Sequence, residues 1–374
     1  MNIQRADVLE ALKTVGLPNT GNNIVEGGAV QDVIISGNSI TVVAMVNTPV
    51  LHVKKSVEDN IKSVLEEKFT GASIQVTMKV EIAKPQIAPV EEKILPNIKN
   101  IIAVASGKGG VGKSTVTANI AVQLAKMGFK VGLVDADIYG PSMPIMFDVE
   151  KERPLGKNIN GKQVMIPVEN YGVKMLSIGF FTTPDQAVAW RGSMATKALK
   201  QLIFDADWGE LDFLLLDLPP GTGDIHLTLV QSVPVTAAVV VSTPQAVALA
   251  DARKGAGLFK MDAINVPVLG FVENMAYFTP AELPDNKYYI FGQDGTKNLA
   301  KDMGLPLLAE IPLVQSIREA GDIGRPASLQ EGTAEADAFY KLAQNVVTET
   351  IARNESLPPT EKVKMSETAG CSAN

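Results

Sequence analysis

Hydrophobic and polar positions in the first 84 residues follow two different periods. Apolar residues recur every three or four positions in two stretches and every second position in three others. The pattern predicts helices at 6–15 and 57–69 and strands at 30–36, 39–46 and 72–82. Because Gly37-Asn38 between the first two strands is typical of a hairpin turn, we expect residues 1–84 to form a small α+β domain.

The rest of the chain has the pattern of an α/β protein. Residues 85–99 carry prolines and charges without a clear period, which predicts an interdomain linker. In residues 100–354, short apolar runs alternate with helical stretches, which is typical of a doubly wound, mostly parallel sheet with helices on both faces. The predicted strands are 101–106, 131–135, 173–177, 213–217, 237–242 and 268–272. Thr333 is a suitable N-cap for a closing helix at 334–353, and we expect the tail at 355–374 to be disordered.

Composition narrows the choice of partner and compartment. Hydrophobic residues make up 46% and charged residues 20% of the 374 positions, and the net charge of -7 argues against general nucleic-acid binding. No apolar run approaches the roughly 18 residues that a membrane-spanning helix needs, and the N-terminus has no signal-peptide core. A single cysteine, Cys371, excludes an intrachain disulfide. We therefore expect a cytoplasmic protein with no membrane and no nucleic-acid partner.

The most informative motif is a glycine-rich turn between a predicted strand and a predicted helix. Residues 107–115 read Gly-Lys-Gly-Gly-Val-Gly-Lys-Ser-Thr, a phosphate-binding loop with an additional lysine near its start. Its glycines permit positive φ, and the following helix directs N–H groups and its dipole towards phosphate. We expect Lys113 to contact the β- and γ-phosphates and Ser114 to bind Mg²⁺. The predicted nucleotide-binding residues of the loop are Gly107, Lys108, Gly109, Gly110, Val111, Gly112, Lys113, Ser114 and Thr115.

Two predicted strands end in aspartate. Asp135 and Asp137 start out on the same side of a strand, because neighbouring residues alternate between its faces. One carboxylate would hold a magnesium-bound water and the other would orient the attacking water; an Asp-rich loop that caps the next helix is the alternative. Asp217 follows four apolar residues, the Walker-B pattern, and predicts a Mg²⁺ contact, with a helix cap as the alternative. A backbone N–H of the next loop, at Gly221, is expected to sense the γ-phosphate.

Four motifs together resemble those of the Mrp/ApbC iron–sulfur carrier ATPases, in the deviant-Walker group that also contains MinD and ParA. They are the phosphate loop, Val-Asp-Ala-Asp-Ile-Tyr-Gly-Pro-Ser at 134–142, Leu-Leu-Asp-Leu-Pro-Pro-Gly-Thr-Gly-Asp at 215–224 and Glu-Asn-Met at 273–275. The resemblance covers residues 100 to about 343, and the N-terminal unit is similar to the small iron–sulfur-assembly domain that often precedes the ATPase in Mrp proteins. It implies a Mg²⁺-dependent ATPase that binds ATP and delivers iron–sulfur clusters, or helps to deliver them, to apoproteins.

The resemblance also implies a homodimer in which two nucleotides face each other. Lys108 would then reach the partner's phosphates and stabilise charge in the transition state, with a solvated loop lysine as the alternative. Asp137 matches the position that orients the attacking water. Asn274 matches a residue that recognises adenine, with a polar strand-end turn as the alternative, and residues 311–313 are expected to line the base pocket. The residues of the Mg²⁺ shell would be Ser114, Asp135 and Asp217.

One departure from the family concerns cysteine. Mrp-type carriers usually have Cys-x-x-Cys shortly after Glu-Asn-Met, and a dimer shares the pairs to hold a 4Fe–4S cluster. Here Pro280 and Leu283 occupy those positions, and Thr48-Pro49-Val50 replaces a cysteine-bearing turn of the N-terminal domain. Two copies of Cys371 in a dimer would supply two thiolates as iron–sulfur ligands, fewer than the usual four; a reactive cysteine without a role is the alternative.

Two other functions compete with cluster assembly or transfer. A positioning ATPase of the MinD type would carry a C-terminal amphipathic helix, and the tail at 358–370 has no such face. A ParA-like partition ATPase would need a basic strip, which the acidic balance disfavours. A regulatory ATPase without a cluster stays open. The sequence favours a homodimeric ATPase that works with iron–sulfur apoproteins or other assembly factors.

Overall fold

The structure, a computed structural model, describes residues 3–17, 22–46, 51–80, 94–159, 161–181, 192–280, 282–283 and 285–360. The chain divides into two compact units, Met1–Lys84 and Pro85–Asn374. Within the described ranges, no helix has both the length and the apolar character needed to cross a bilayer. The predictions for Thr48-Pro49-Val50, for residues 85–93 and for the tail from 361 onward, including Cys371, lie outside the described residues.

The first unit is a three-stranded sheet packed against two helices. Its elements are α1 (Arg5–Leu12), β1 (Val30–Ser36), β2 (Ser39–Val46), α2 (Leu51–Lys68) and β3 (Ser73–Val80). The strand order is β1-β2-β3, with β1 antiparallel and β3 parallel to the central strand. Ile40 and Val42 of β2 belong to one buried core with Ile61 and Leu65 of α2, which joins the helix to the sheet.

Each helix of this unit differs from the sequence prediction by one residue at one end and by several residues at the other. α1 ends at Leu12 because the next residues form a tighter turn, in which the N–H groups of Thr14 and Val15 donate to carbonyls three residues back. α2 begins at Leu51, six residues before the predicted start. The polar residues 54–56 interrupt the apolar pattern there, so the first part of the helix leaves no periodic signal.

The second unit contains ten strands and eight α-helices among the described residues. Its strands are β4 (Ile98–Ala105), β5 (Val131–Asp135), β6 (Leu155–Ile159), β7 (Lys162–Ile166), β8 (Val168–Asn170), β9 (Val173–Ser177), β10 (Leu211–Asp217), β11 (Ala237–Ser242), β12 (Val268–Glu273) and β13 (Leu307–Glu310). Its helices are α3 (Lys113–Lys126), α4 (Met143–Met146), α5 (Gly192–Phe204), α6 (Asp224–Ser232), α7 (Ala246–Phe259), α8 (Gly295–Met303), α9 (Gln315–Asp322) and α10 (Ala334–Ser356), with short 3₁₀ helices at Ile178–Phe180 and Ala327–Leu329.

Eight of these strands form one sheet in the order β13-β12-β11-β4-β10-β5-β9-β8, and β6 and β7 form a separate antiparallel hairpin. All neighbours in the large sheet are parallel except β8, which runs antiparallel to β9. Helices cover both faces. Ile101 and Ala103 of β4 share a core with α5, α6, α7 and α8, whereas Asn100 of the same strand accepts a hydrogen bond from Asn354 of α10, which packs on α3. The structure confirms the predicted doubly wound, mostly parallel sheet.

The bounds of two elements in the second unit also differ from those predicted from the hydrophobic pattern. β4 begins at Ile98, so Ile98 and Lys99, assigned to the linker from the sequence, belong to the central strand. The Thr333 hydroxyl accepts the N–H of Ala336 at 3.2 Å, which confirms the predicted N-cap. α10 continues to Ser356, three residues beyond the predicted end and into the segment expected to be disordered.

Candidate functional site

The loop that joins β4 to α3 has the backbone freedom that its glycines predict. Gly110 and Gly112 have φ values of 82° and 80°, in the region that favours glycine. A Cβ on Gly107 would lie 2.1 Å from the backbone carbonyl of Asp251 in α7, so no larger residue fits there. Gly112 is the N-cap of α3, whose first N–H groups have no partner within the helix. The loop therefore presents the start of a 14-residue helix at the carboxyl edge of the sheet.

Lys113 and Asp217 form a buried ion pair at the start of this helix. The Lys113 Nζ and Asp217 Oδ2 atoms are 2.8 Å apart, and the two side chains are 5% and 0% exposed. Ser114 Oγ donates to Asp217 Oδ2 at 2.7 Å, and Thr117 Oγ1 donates to Asp217 Oδ1 at the same distance. One carboxylate at the end of β10 is thus held by an ammonium and two hydroxyl groups.

These groups match the chemistry of a magnesium–polyphosphate complex. Mg²⁺ prefers oxygen ligands, and a hydroxyl and a carboxylate oxygen lie side by side at Ser114 and Asp217. The Lys113 ammonium supplies a point charge of the kind that binds phosphate. Thr117 was not among the predicted site residues. Its position four residues after Lys113, on the same face of α3, is the sequence signal that indicates it.

Asp135 lies beside Asp217, because the two residues are register partners in the neighbouring parallel strands β5 and β10. It is fully buried and accepts a hydrogen bond from Ser177 Oγ at 2.9 Å. The N–H groups of Met143 and Asp137 each donate to it at 3.2 Å. Burial, with the negative charge of Asp217, raises the pKa of Asp135 to about 7. The charge of this carboxyl therefore changes near neutral pH.

Asp137 lies two residues beyond the strand end and is half-buried. Its Oδ1 accepts the N–H of Gly140 at 3.3 Å. Burial raises the pKa of Asp137, while the positive charge of Lys113 opposes that shift. Lys113 also acts on the charge of Asp135. Both aspartates are therefore within electrostatic range of the loop lysine, and Asp137 is the more accessible of the two to water.

The loop after Asp217 contacts the phosphate loop through its backbone. Gly221 has φ of 88°, and its N–H donates to the carbonyl of Ser106 at 2.9 Å. The γ-phosphate contact predicted for that amide would require this hydrogen bond to open. Lys108 is exposed, and no ion pair of its side chain occurs among the described residues. Its carbonyl accepts the Ser106 hydroxyl at 3.0 Å, so its backbone is held while its ammonium is left in solvent.

Asn274, directly after β12, also contacts the phosphate loop. Its Nδ2 donates to the carbonyl of Val111 at 2.8 Å, and its side chain is buried. The segment 311–313 lies against the same strand end, where the N–H of Ile311 donates to the Glu273 carbonyl at 2.8 Å. The adenine contacts of Asn274 and of residues 311–313 stay predictions. The hydrogen bond to Val111 is a contact that the sequence did not suggest.

The segment in which the family's cysteine pair is expected contains a turn, and it lies between two residues that form an isolated β-bridge. Phe278 pairs with Tyr288, and the N–H of Leu283 donates to the carbonyl of Pro280 at 3.1 Å. Neither Pro280 nor Leu283 can bind iron. The described part of the chain contains no cysteine, and it holds no group of three or more His, Cys, Asp or Glu side chains arranged to bind a metal. These residues do not fit a resident iron–sulfur cluster.

Comparisons with known proteins agree with this architecture in both units. Residues 97–347 match the ParA family described as NUBPL iron-transfer P-loop NTPase, and residues 5–78 match a family described as iron–sulfur cluster assembly protein. The iron–sulfur cluster carrier protein of Synechocystis sp. is 40% identical over 340 residues, which cover 91% of this chain and 96% of the relative. The iron–sulfur cluster transfer protein NUBPL of Dictyostelium discoideum is 42% identical over 296 residues, which cover 79% of this chain and 89% of the relative.

A solved structure provides an independent comparison. The nucleotide-binding protein of Archaeoglobus fulgidus in complex with ADP superposes with a TM-score of 0.57 at 37% sequence identity, covering 66% of this chain and 94% of that one. One family match spans residues 97–347 of the chain. The two relatives at 40% and 42% identity align with this chain over 96% and 89% of their own length. The chain belongs to the NUBPL iron-transfer P-loop NTPase family and carries an N-terminal unit of the iron–sulfur cluster assembly family.

Proposed function

We propose that the chain is an ATPase that binds Mg–ATP at the 107–115 loop and uses its hydrolysis to deliver iron–sulfur clusters to apoproteins. The observation that carries the nucleotide part is the buried contact of Asp217 with Lys113, Ser114 and Thr117 at the start of α3. The named relatives and the family match at residues 5–78 support the cluster part. The same N-terminal match favours cluster transfer over a positioning role of the MinD or ParA kind.

In this proposal, Lys113 exchanges one anionic partner for another when nucleotide binds. Its ammonium neutralises Asp217 in the structure described here, and a β- or γ-phosphate oxygen takes over that contact. Mg²⁺, held by Ser114 and Asp217 with Asp135 in its outer shell, neutralises phosphate charge when it is bound. The free N–H groups at the start of α3 hold the phosphates. Asp137 orients the attacking water.

A second copy of the chain supplies a further cation. Lys108 is exposed beside the loop and has no ion-pair partner among the described residues. In a homodimer whose nucleotides face each other, Lys108 of each protomer stabilises negative charge on the phosphates of its partner. Hydrolysis then depends on dimer formation, which links the nucleotide state to the opening and closing of the interface.

The cluster is cargo in this proposal. Pro280 and Leu283 provide no thiolate, and Cys371 is the single cysteine of the chain. A dimer therefore has two thiolates, whereas a 4Fe–4S cluster usually takes four. The remaining ligands come from the donor or acceptor protein, so the complex with that partner, rather than the free chain, holds the cluster most firmly.

The test is anaerobic reconstitution with iron and sulfide, followed by transfer to a 4Fe–4S apoprotein with and without Mg–ATP. Lys113→Ala serves as the nucleotide-deficient control and Cys371→Ser as the thiol-deficient one. We expect a thiolate-to-iron absorbance band that Cys371→Ser loses, and an effect of ATP on transfer that Lys113→Ala loses. No band and no effect of ATP on transfer in the wild type would refute the cluster part, while leaving nucleotide binding to be judged separately.

A further inference from the structure

Asn274 fixes one peptide group of the phosphate loop. Its Nδ2 donates to the Val111 carbonyl at 2.8 Å, and the asparagine is only 6% exposed, so water does not compete for the contact. Asn274 is itself anchored, because its N–H donates to the carbonyl of Ser242 at 2.8 Å at the end of the neighbouring strand β11. A rigid edge of the sheet therefore holds the Val111 carbonyl in one direction.

The direction of this carbonyl determines the direction of the next amide. In a planar trans peptide, the C=O and the following N–H point to opposite sides. Because the Val111 carbonyl points to Asn274, the Gly112 N–H points away from that side chain, and it is one of the amides at the start of α3 that can donate to a phosphate oxygen. We propose that Asn274 is a positioning residue of the phosphate loop, which orients the Gly112 amide for a phosphate oxygen. This inference depends on the nucleotide binding proposed above.

Gly112 and Asn274 also fit each other sterically. A Cβ on Gly112 would lie 2.2 Å from Asn274 Nδ2, closer than any non-bonded contact permits. Gly112 has φ of 80°, so the position favours glycine for its backbone conformation and requires it to admit the asparagine side chain. The loop and the end of β12 are therefore complementary at this point, as expected if the asparagine acts on the loop itself.

A positioning role and recognition of adenine make different predictions for a ligand that has no base. We would titrate the wild type, Asn274→Ala and Asn345→Ala with Mg–ATP and with Mg–tripolyphosphate by isothermal titration calorimetry. Asn345 is the matched control, because its Nδ2 also donates to a backbone carbonyl, that of Leu308, at 2.6 Å. We expect Asn274→Ala to lower the affinity for both ligands by about tenfold, the effect of losing one buried hydrogen bond. Asn345→Ala should lower neither.

A loss confined to ATP, with tripolyphosphate binding unchanged, would overturn the positioning role and assign Asn274 to the base. A wild type that binds ATP but not tripolyphosphate would overturn it as well. A wild type that binds neither ligand would instead refute the proposed function. Asn274→Leu, which keeps the number and branching of the side-chain heavy atoms without either polar atom, provides a second variant if Asn274→Ala does not fold. Equal affinity of this variant and the wild type for tripolyphosphate would also overturn the inference.

Discussion

His226 should make the stability of the second unit depend on pH. This histidine of α6 is 2% exposed, and its ring lies 5.6 Å from that of Phe259. Burial lowers the pKa of His226 from 6.5 to about 4, although a hydrogen bond with the backbone of Pro219 opposes this shift. Below pH 6.5 the unfolded chain therefore binds a proton that the folded chain does not, and the free energy of unfolding falls as the pH is lowered.

The size of this effect follows from the two pKa values. Between pH 7.5 and 5.5, protonation of the unfolded state alone lowers the free energy of unfolding by about 1.3 kcal/mol. At pH 5.5 the buried imidazole is still neutral, because this pH lies above its folded-state pKa of about 4. The lower pH also stays above the isoelectric point of about 5.1, which limits precipitation.

His226→Phe removes the titrating group and keeps an aromatic ring against Phe259. Asp135 acts in the opposite direction, because its raised pKa makes the folded state gain stability on acidification. Asp135 makes the same contribution in the wild type and in the variant, so it cancels when the free energies of unfolding of the two proteins are subtracted. Urea unfolding followed by tryptophan fluorescence is the assay, since both tryptophans, Trp190 and the buried Trp208, belong to the second unit.

We expect the wild type to lose about 1.3 kcal/mol more than His226→Phe between the two pH values. His52→Phe, which removes the other histidine of the chain and lies in the first unit, is the control and should behave like the wild type. Equal losses in the wild type and His226→Phe would refute the reasoning, because they would mean that His226 titrates alike in the folded and unfolded chain.

Three further substitutions test neighbouring parts of the site. Gly107→Ala should lower the free energy of unfolding by about 3 kcal/mol, because its Cβ would lie 2.1 Å from the backbone of α7; a wild-type melting temperature would contradict this. Asp137→Ala should bind ATP normally and release phosphate at least about 100-fold more slowly, and unchanged turnover would remove it from the mechanism. Lys108→Ala should bind ATP but lose the rise in specific activity with protein concentration that a dimer produces; an unaltered rise would contradict a contact across the interface.

The centre of the sheet could be predicted from the sequence, and its edges could not. The strands β4, β5 and β11 are buried on both faces, so their residues form apolar runs that stand out. β13 has two buried residues and β8 has three residues in all, too few to show a period. The β6–β7 hairpin is also missing from the sequence prediction, because β6 is almost entirely exposed and β7 is only half-buried, so neither strand alternates between buried and exposed positions.

In the candidate site, too, some residues could be predicted from the sequence and some contacts could not. The loop glycines and the strand-end aspartates could be predicted, because their chemistry is contained in local spacing. Ser177 reaches Asp135 only because β9 pairs with β5. Asn274 reaches Val111 only because β12 pairs with β11, which in turn pairs with β4. Contacts of this kind depend on strand order, and no spacing along the chain contains that information.

The central claim is that the phosphates of a nucleotide bind at the start of α3 through the Lys113 ammonium. Isothermal titration calorimetry of the purified chain with Mg–ATP and with Mg–ADP tests it most directly, with Lys113→Ala as the paired variant. We predict saturable binding of one nucleotide per chain in the wild type and no detectable binding in Lys113→Ala. A wild type that binds neither nucleotide, or a variant that retains micromolar affinity, would contradict the claim.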